Sequence, residues 1–203
     1  MAKTTSNKLL ISLIAILLIL VVANVIILVV KNVEFSGHAT SQTGYVNITI
    51  TTSISVNMTR STIDWGSGVV ADTKLSASLN TTSESAAVSD GNWSTDNAKA
   101  FILQNIGNIN ASLVFSSTKT AATFLGGTGP KYQWNFTNKD AGSCTGGITL
   151  AAWTDVNSSA TPCLQFGFLD TQDELYIDIS LLVPYDAAGT KSDIITATAS
   201  TAA

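Results

Sequence analysis

Glu174-Leu175-Tyr176-Ile177-Asp178-Ile179-Ser180-Leu181, continuing through Leu182 and Val183 to Pro184, decides the fold. Leu175, Ile177, Ile179 and Leu181 alternate with Tyr176, Asp178 and Ser180. Successive side chains of a strand point to opposite faces, so a period of two places the four aliphatic residues on one buried face. Pro184, which has no N–H to offer a neighbouring strand, ends the run.

The same alternation recurs on both sides of this stretch. Residues 193–200 put Ile194, Thr196 and Thr198 on one face and Ile195, Ala197 and Ala199 on the other. Residues 132–137 align Tyr132, Trp134 and Phe136. Residues 45–58 carry Val46, Ile48 and Ile50, then Ile54, Val56 and Met58 after Thr51-Thr52, which predicts one long strand or two parted by a bend. Shorter strands are expected at 74–79, 100–105, 111–116, 148–153 and 164–169. The strands at 100–105 and 111–116 flank Gly107-Asn108, residues that suit a tight connection. Residues 80–97, rich in Ser, Thr, Asp and Gly, read as a long exposed loop, and residues 118–131 as another. With about nine strands and no convincing helix after residue 40, the chain is expected to be all-β, an immunoglobulin-like antiparallel β-sandwich.

A different pattern precedes the strands. Residues 9–30 are aliphatic apart from Ser12 and Asn24, with no ionisable side chain. A helix of that length reaches about 33 Å, against a hydrocarbon core of about 30 Å. A secretory h-region usually has only about 7–15 residues, so the length favours a permanent signal-anchor. A cleaved signal, with Gly37-His38-Ala39 or Val21-Val22-Ala23 as processing site, and a pilin-type oligomerising helix are the other two readings. All three export the rest of the chain. Lys3 and Lys8 precede the run without an acid, while Lys31 is soon balanced by Glu34. The positive-inside rule then keeps the N-terminus in the cytoplasm. The expected organisation is a cytoplasmic tail at 1–8, a transmembrane helix at 9–30, a linker at 31–44 and one extracellular domain at 45–203.

Composition narrows the function. Net charge is −4, charged residues are only 12% of the chain, and Arg60 is the one arginine, so nucleic acid is not an expected partner. Ser, Thr and Asn together exceed a quarter of the chain, which predicts a neutral, hydroxyl-rich surface. Cys144 and Cys163, both in the exported part, are expected to form one disulfide. The Asn-x-Ser/Thr triplet begins at Asn47, Asn57, Asn80, Asn92, Asn110, Asn135 and Asn157, the acceptors expected for N-glycans.

Signs of chemistry are sparse. His38, the one histidine, lies in the linker, so neither a Ser-His-Asp nor a Cys-His arrangement can be assembled in the domain. No enzymatic activity and no organic cofactor are expected. Asp170, Asp173 and Glu174 supply carboxylates at the start of a strand and are the candidate ligands for Ca²⁺. Asp90, Asn92, Ser94 and Asp96 alternate like the start of a calcium loop but lack its glycine and closing glutamate. Of the four tryptophans, Trp65, Trp134 and Trp153 read as core, and Trp93 as an exposed contact.

Leu169-Asp170-Thr171, the 174–183 strand, Pro184, Ala187-Ala188-Gly189 and the final Thr196-Ala197-Thr198-Ala199-Ser200 together carry a resemblance. They resemble the closing hairpin of immunoglobulin-like surface domains and of the camelysin and TasA type of exported matrix and filament proteins. Asn105-Ile106-Gly107-Asn108 looks like the N-x-G-N turn of the same domains. The whole layout is similar to small archaeal membrane-anchored surface proteins. The resemblance implies a sandwich and a surface role and brings no catalytic residue. Archaeal pilins share a hydrophobic helix before a β domain, but their cleavage site has Lys or Arg before Gly or Ala. Here Lys8 is followed by Leu9-Leu10.

The function expected is that of a membrane-anchored structural or adhesive protein of the cell surface. The alternatives are a subunit of a pilus-like or TasA-like filament and a glycan- or calcium-binding module. The expected partners are membrane lipid and copies of the chain itself or other envelope proteins.

Overall fold

The computed structural model describes residues 3–33 and 46–202. The chain divides into two compact units, Met1–Thr49 and Ile50–Ala203. Within the first, helix α1 runs from Lys3 to Val33. Its stretch Asn7–Leu28 is long and apolar enough to cross a membrane. Asn24 does not interrupt it, because its Nδ2 donates to the Leu20 carbonyl at 2.8 Å and the amide is satisfied by the helix's own backbone.

The second unit is a sandwich of two antiparallel sheets, one of seven strands and one of three. β9 (Glu174–Pro184) is the spine of the larger sheet. One of its edges pairs with β6 (Lys131–Asn138) over eight residue pairs, from Lys131 opposite Leu182 to Asn138 opposite Leu175. Its other edge pairs first with β4 (Phe101–Asn105) and then with β2 (Ser76–Thr82). β1 (Val56–Arg60) extends the sheet beyond β4, β3 (Ser85–Ser89) beyond β2, and the two-residue β7 (Thr154–Asp155) beyond β6. In the smaller sheet β5 (Ala111–Ser117) lies between β10 (Ile195–Thr201) and β8 (Ala160–Phe166). Leu79, Leu103, Trp134, Phe136, Leu175 and Ile177 of one sheet bury against Leu113, Phe115 and Phe166 of the other. The rings of Phe115 and Phe136 meet edge-on at 4.8 Å across the interface. Each such buried side chain contributes about 1.5–3 kcal/mol of transfer free energy.

Several expectations change on contact with the structure. Of the strand expected at 45–58, only the part from Val56 onward is a strand; residues 46–55 carry no regular structure and Tyr45 lies outside the described residues. The region 80–97 is not simply a loop: β2 and β3 form a hairpin there, turned by Ser83 at a φ of 52°. Its alternation is hidden because Thr81 rather than an aliphatic residue faces the core. Residues 106–110 do not join a hairpin. They carry the chain from one sheet to the other, as do the residues between β9 and β10, so the apparent closing hairpin is a corner. Gly107 is present for close approach, since a Cβ there would lie 2.4 Å from the Ser53 carbonyl oxygen. A one-turn helix, α2 (Ala121–Phe124), capped by Thr120, interrupts the expected loop at 118–131. No strand forms at 148–153, whereas β8 starts four residues earlier than expected. Pro162 concealed that start, and it is tolerated because the β5–β8 ladder is irregular on both sides of Leu113.

Candidate interaction surface

The two outer edges of the smaller sheet are finished differently. Along β8 the edge is covered. Cys144 sits opposite Phe166, Thr145 N donates to Gln165 O at 2.9 Å, and Gly167 N donates to Ser143 O at 2.7 Å. The Cys144–Cys163 disulfide, with Cα atoms 5.7 Å apart, fastens that cover, as the sequence led us to expect. β10, at the other edge, pairs with β5 alone among the described residues. It reads Ile-Thr-Ala-Thr-Ala-Ser-Thr, with no charge, proline or glycine. These are the devices by which edge strands ordinarily resist pairing with another chain.

Where β10 begins, the sandwich is open. A cleft of about 890 Å³ enters between the sheets, lined by Ile63, Trp65, Phe101, Phe124, Leu181 and Ile195 among others. Its polar lining includes Asp64, Lys191 and Asp193; the Asp193 carboxylate accepts from Ser117 Oγ at 2.5 Å, Thr118 Oγ1 at 2.6 Å and Tyr132 Oη at 3.0 Å. Burial alone would raise the Asp193 pKa, but the hydroxyl donors, led by Ser117, outweigh it and hold it low. Burial, reinforced by Asp193, pushes the Tyr132 phenol up, so it stays protonated and keeps donating. A carboxylate engaged by three hydroxyls is a strut of the cleft wall rather than a poised base.

The neighbouring edge at β1 is charged. Arg60 forks onto Glu84 at 2.7 and 2.9 Å and donates to the Ala100 carbonyl at 3.1 Å. The Arg60 guanidinium, followed by the Tyr176 hydroxyl, lowers the Glu84 pKa.

Ahead of β1 the chain is held at one place. Ile106 N donates to Ser55 O and Asn108 N to Ser53 O, both at 3.0 Å. The Asn108 side chain adds two bonds, accepting from Ser53 N at 2.7 Å and donating to Thr51 O at 2.9 Å. Beyond that clamp Val46, Ile48 and Ile50 are 94%, 80% and 81% exposed.

The proposed calcium ligands are not gathered. Asp173 turns inward, with Oδ2 accepting from Gln104 at 3.0 Å and burial raising its pKa; Glu174 pairs with Lys139; Asp170 is exposed. Among the described residues no group of three or more His, Cys, Asp and Glu side chains is arranged to hold a metal ion. In the 90–96 stretch, Asp90 pairs with Lys74 at 2.8 Å and Asn92 accepts from Val69 N at 2.7 Å. Trp93 is not an exposed contact, because its ring packs over the backbone at Gly68 and Gly91, where a Cβ would lie 2.4 and 2.6 Å away. The exposed tryptophan is Trp153. Of the glycan acceptors, Asn47, Asn57, Asn92 and Asn157 are exposed, and Asn80, Asn110 and Asn135 are half-buried. His38 lies outside the described residues.

Sequence reasoning placed Asn108 in a turn without its clamp on residues 51–53, and missed Asp193 and the cleft. Asn108 had a visible signal, an Asn directly after a glycine that needs space. Asp193 and the cleft had none, because they depend on which sheet each strand joins. No family model, curated protein or solved structure matches the chain.

Proposed function

We propose that the chain is a non-enzymatic structural or adhesive protein of the cell surface, held in the membrane by α1 with its β-sandwich outside. The observation that carries this reading is one chain joining a helix apt for crossing a membrane to a domain closed by a disulfide. Disulfides persist where thiol reductants are scarce, which supports a compartment outside the cytosol. Lys3 and Lys8 ahead of the apolar run favour an N-terminus inside. Four exposed sequons and a low charge content suit an extracytoplasmic surface. Intact-mass spectrometry of the native protein from membranes tests it. The expected species retains residues 9–30, has an oxidised cysteine pair and carries added glycan mass. A species with free thiols and bare asparagines, recovered from the soluble fraction, would refute it.

A second reading, a filament subunit, is favoured by the exposed alternating residues at 46–50 and by the uncharged edge of β10. Electron microscopy of membranes bearing the protein separates the two readings, since a field of discrete particles removes the filament.

A further inference from the structure

We infer that the cleft at the start of β10 binds a glycolipid, with one apolar chain between the sheets and a neutral polyhydroxyl head at the mouth. The inference rests on the surface reading above for where such a lipid is met. It goes beyond that reading by naming the site and the chemistry of its ligand.

The interior of the cleft is apolar. Leu79, Ile179 and Leu181 of the larger sheet are buried at its floor, and Trp65, Phe101 and Ile195 are half-buried along its walls. Its volume of about 890 Å³ lies within the range of about 300–1,000 Å³ found for small-molecule sites. Apolar surface facing water is unfavourable, and closing the sandwich would remove it. Both lips are fixed, which keeps the cleft open. On one side Asp64 N donates to Asn97 O at 3.1 Å, Ser94 N to Trp65 O at 3.2 Å and Asn92 N to Val69 O at 3.3 Å. On the other, Asp186 accepts from Thr128 N at 2.9 Å and Thr128 Oγ1 at 2.8 Å, and Asp193 is held by its three hydroxyl donors. A ligand therefore meets a preformed site.

The mouth is polar and carries both signs of charge. Asp64, Ser67, Thr190, Lys191 and Ser192 are exposed around it. Asp64 Oδ1 accepts from Gly66 N at 2.8 Å, and Oδ2 has no partner among the described residues. The Lys191 ammonium lies beside Gly126, where a Cβ would be 3.6 Å from it, and it has no ion pair or hydrogen bond among the described residues. An anionic head would meet Lys191 but face Asp64 and Asp193. A cationic head would meet Asp64 but face Lys191. A sugar hydroxyl donates to the carboxylate and accepts from the ammonium, so a polyhydroxyl head satisfies both without bringing in a net charge. The hydroxyls of Ser67, Thr190 and Ser192 both donate and accept and suit the same head. The apolar floor calls for a hydrocarbon chain, which a free sugar lacks. The occupant is therefore a lipid carrying a sugar rather than a glycan alone.

The test uses the full chain in phospholipid nanodiscs, with hydrogen–deuterium exchange followed on peptides covering 61–69 and 187–195. The probes share one chain and differ in head: hexyl glucoside, hexanoate and hexyltrimethylammonium, with glucose as the chainless control. Hexyl glucoside is expected to slow exchange at both lips saturably, with exchange in α1 unchanged. The two ions are expected to need concentrations about tenfold higher or more, and glucose to leave both lips as they were. Lys191→Gln and Asp64→Asn change exposed side chains, and the second keeps the oxygen that accepts from Gly66. Each is expected to raise the half-saturating concentration of hexyl glucoside about tenfold, with the core strands exchanging as in wild type. No protection by the glucoside, equal protection by either ion, protection by glucose, or variants that bind as wild type does would overturn the inference. Exposure of the domain is measured separately, by external protease on intact cells. A domain cut by the protease whose cleft ignores the glucoside fails the inference alone. A cleft that binds the glucoside in a domain shielded from the protease fails the surface reading alone.

Discussion

Asp178 sits in the middle of β9, nearly buried, with Oδ1 accepting from the Thr81 hydroxyl at 3.0 Å and from Ser83 N at 2.6 Å. It ties the β2–β3 turn to the spine strand. Burial raises its pKa despite those donors. The consequence for pH follows directly. An ordinary carboxyl titrates near 3.9 in the unfolded chain, so the charged folded form is penalised as pH rises through and above that value. Asp178→Asn keeps an oxygen acceptor and removes the charge. Its stability relative to wild type is expected to improve between pH 3 and pH 7. Asp178→Ala strands the Ser83 N–H and is expected to cost about 1–3 kcal/mol. Urea unfolding at the two pH values checks both. Asp193 behaves in the opposite sense. Its folded pKa is lowered, so its contribution is full above the unfolded value and is lost as pH falls below it. Asp193→Asn is therefore expected to destabilise at pH 7 and to approach wild type at pH 3, in the same titration. Asp178 was legible as the polar half of an alternating strand, but alternation assigns it to an outer face. Its burial comes from a turn 95 residues away in sequence folding over it, which no local pattern reports.

Among the elements, the covered edge at β8 depends on the disulfide. Closing a loop of 19 residues contributes about 3 kcal/mol in the chain-entropy model. Replacing both cysteines by alanine is expected to lower Tm by about 6–12 °C for a domain of this size, measured by scanning calorimetry. The cysteine pair was readable from parity and exported context alone. The strand it braces was half hidden by Pro162. The clamp ahead of β1 makes a second prediction. Asn108→Ala removes two side-chain bonds of about 0.5–1.5 kcal/mol each. Protection of the Ser53 amide from hydrogen exchange is expected to fall about tenfold, with the core strands unchanged. The long strand expected at 45–58 fails for a related reason. Alternation shows that a segment can be a strand, not that a partner is present. Val56 and Met58 find β4, whereas Val46, Ile48 and Ile50 join no strand pairing among the described residues and stay exposed.

For the whole molecule, the division into an apolar helix and an all-β domain was plain from two periodicities, an unbroken aliphatic run and repeated alternation by twos. Sheet membership was not, because pairings such as β2 with β9 join residues about 100 positions apart. The cleft and the open edge follow from that membership and stayed invisible with it. The surface reading makes the Ile50–Ala203 unit accessible from outside and α1 inaccessible. The direct measurement is protease treatment of intact cells, with separate detection of an N-terminal tag and of the β domain. The account predicts that the domain is removed while a tagged fragment containing residues 9–30 stays in the membrane pellet. Full protection of the domain in intact cells, together with its degradation only after lysis, would contradict it.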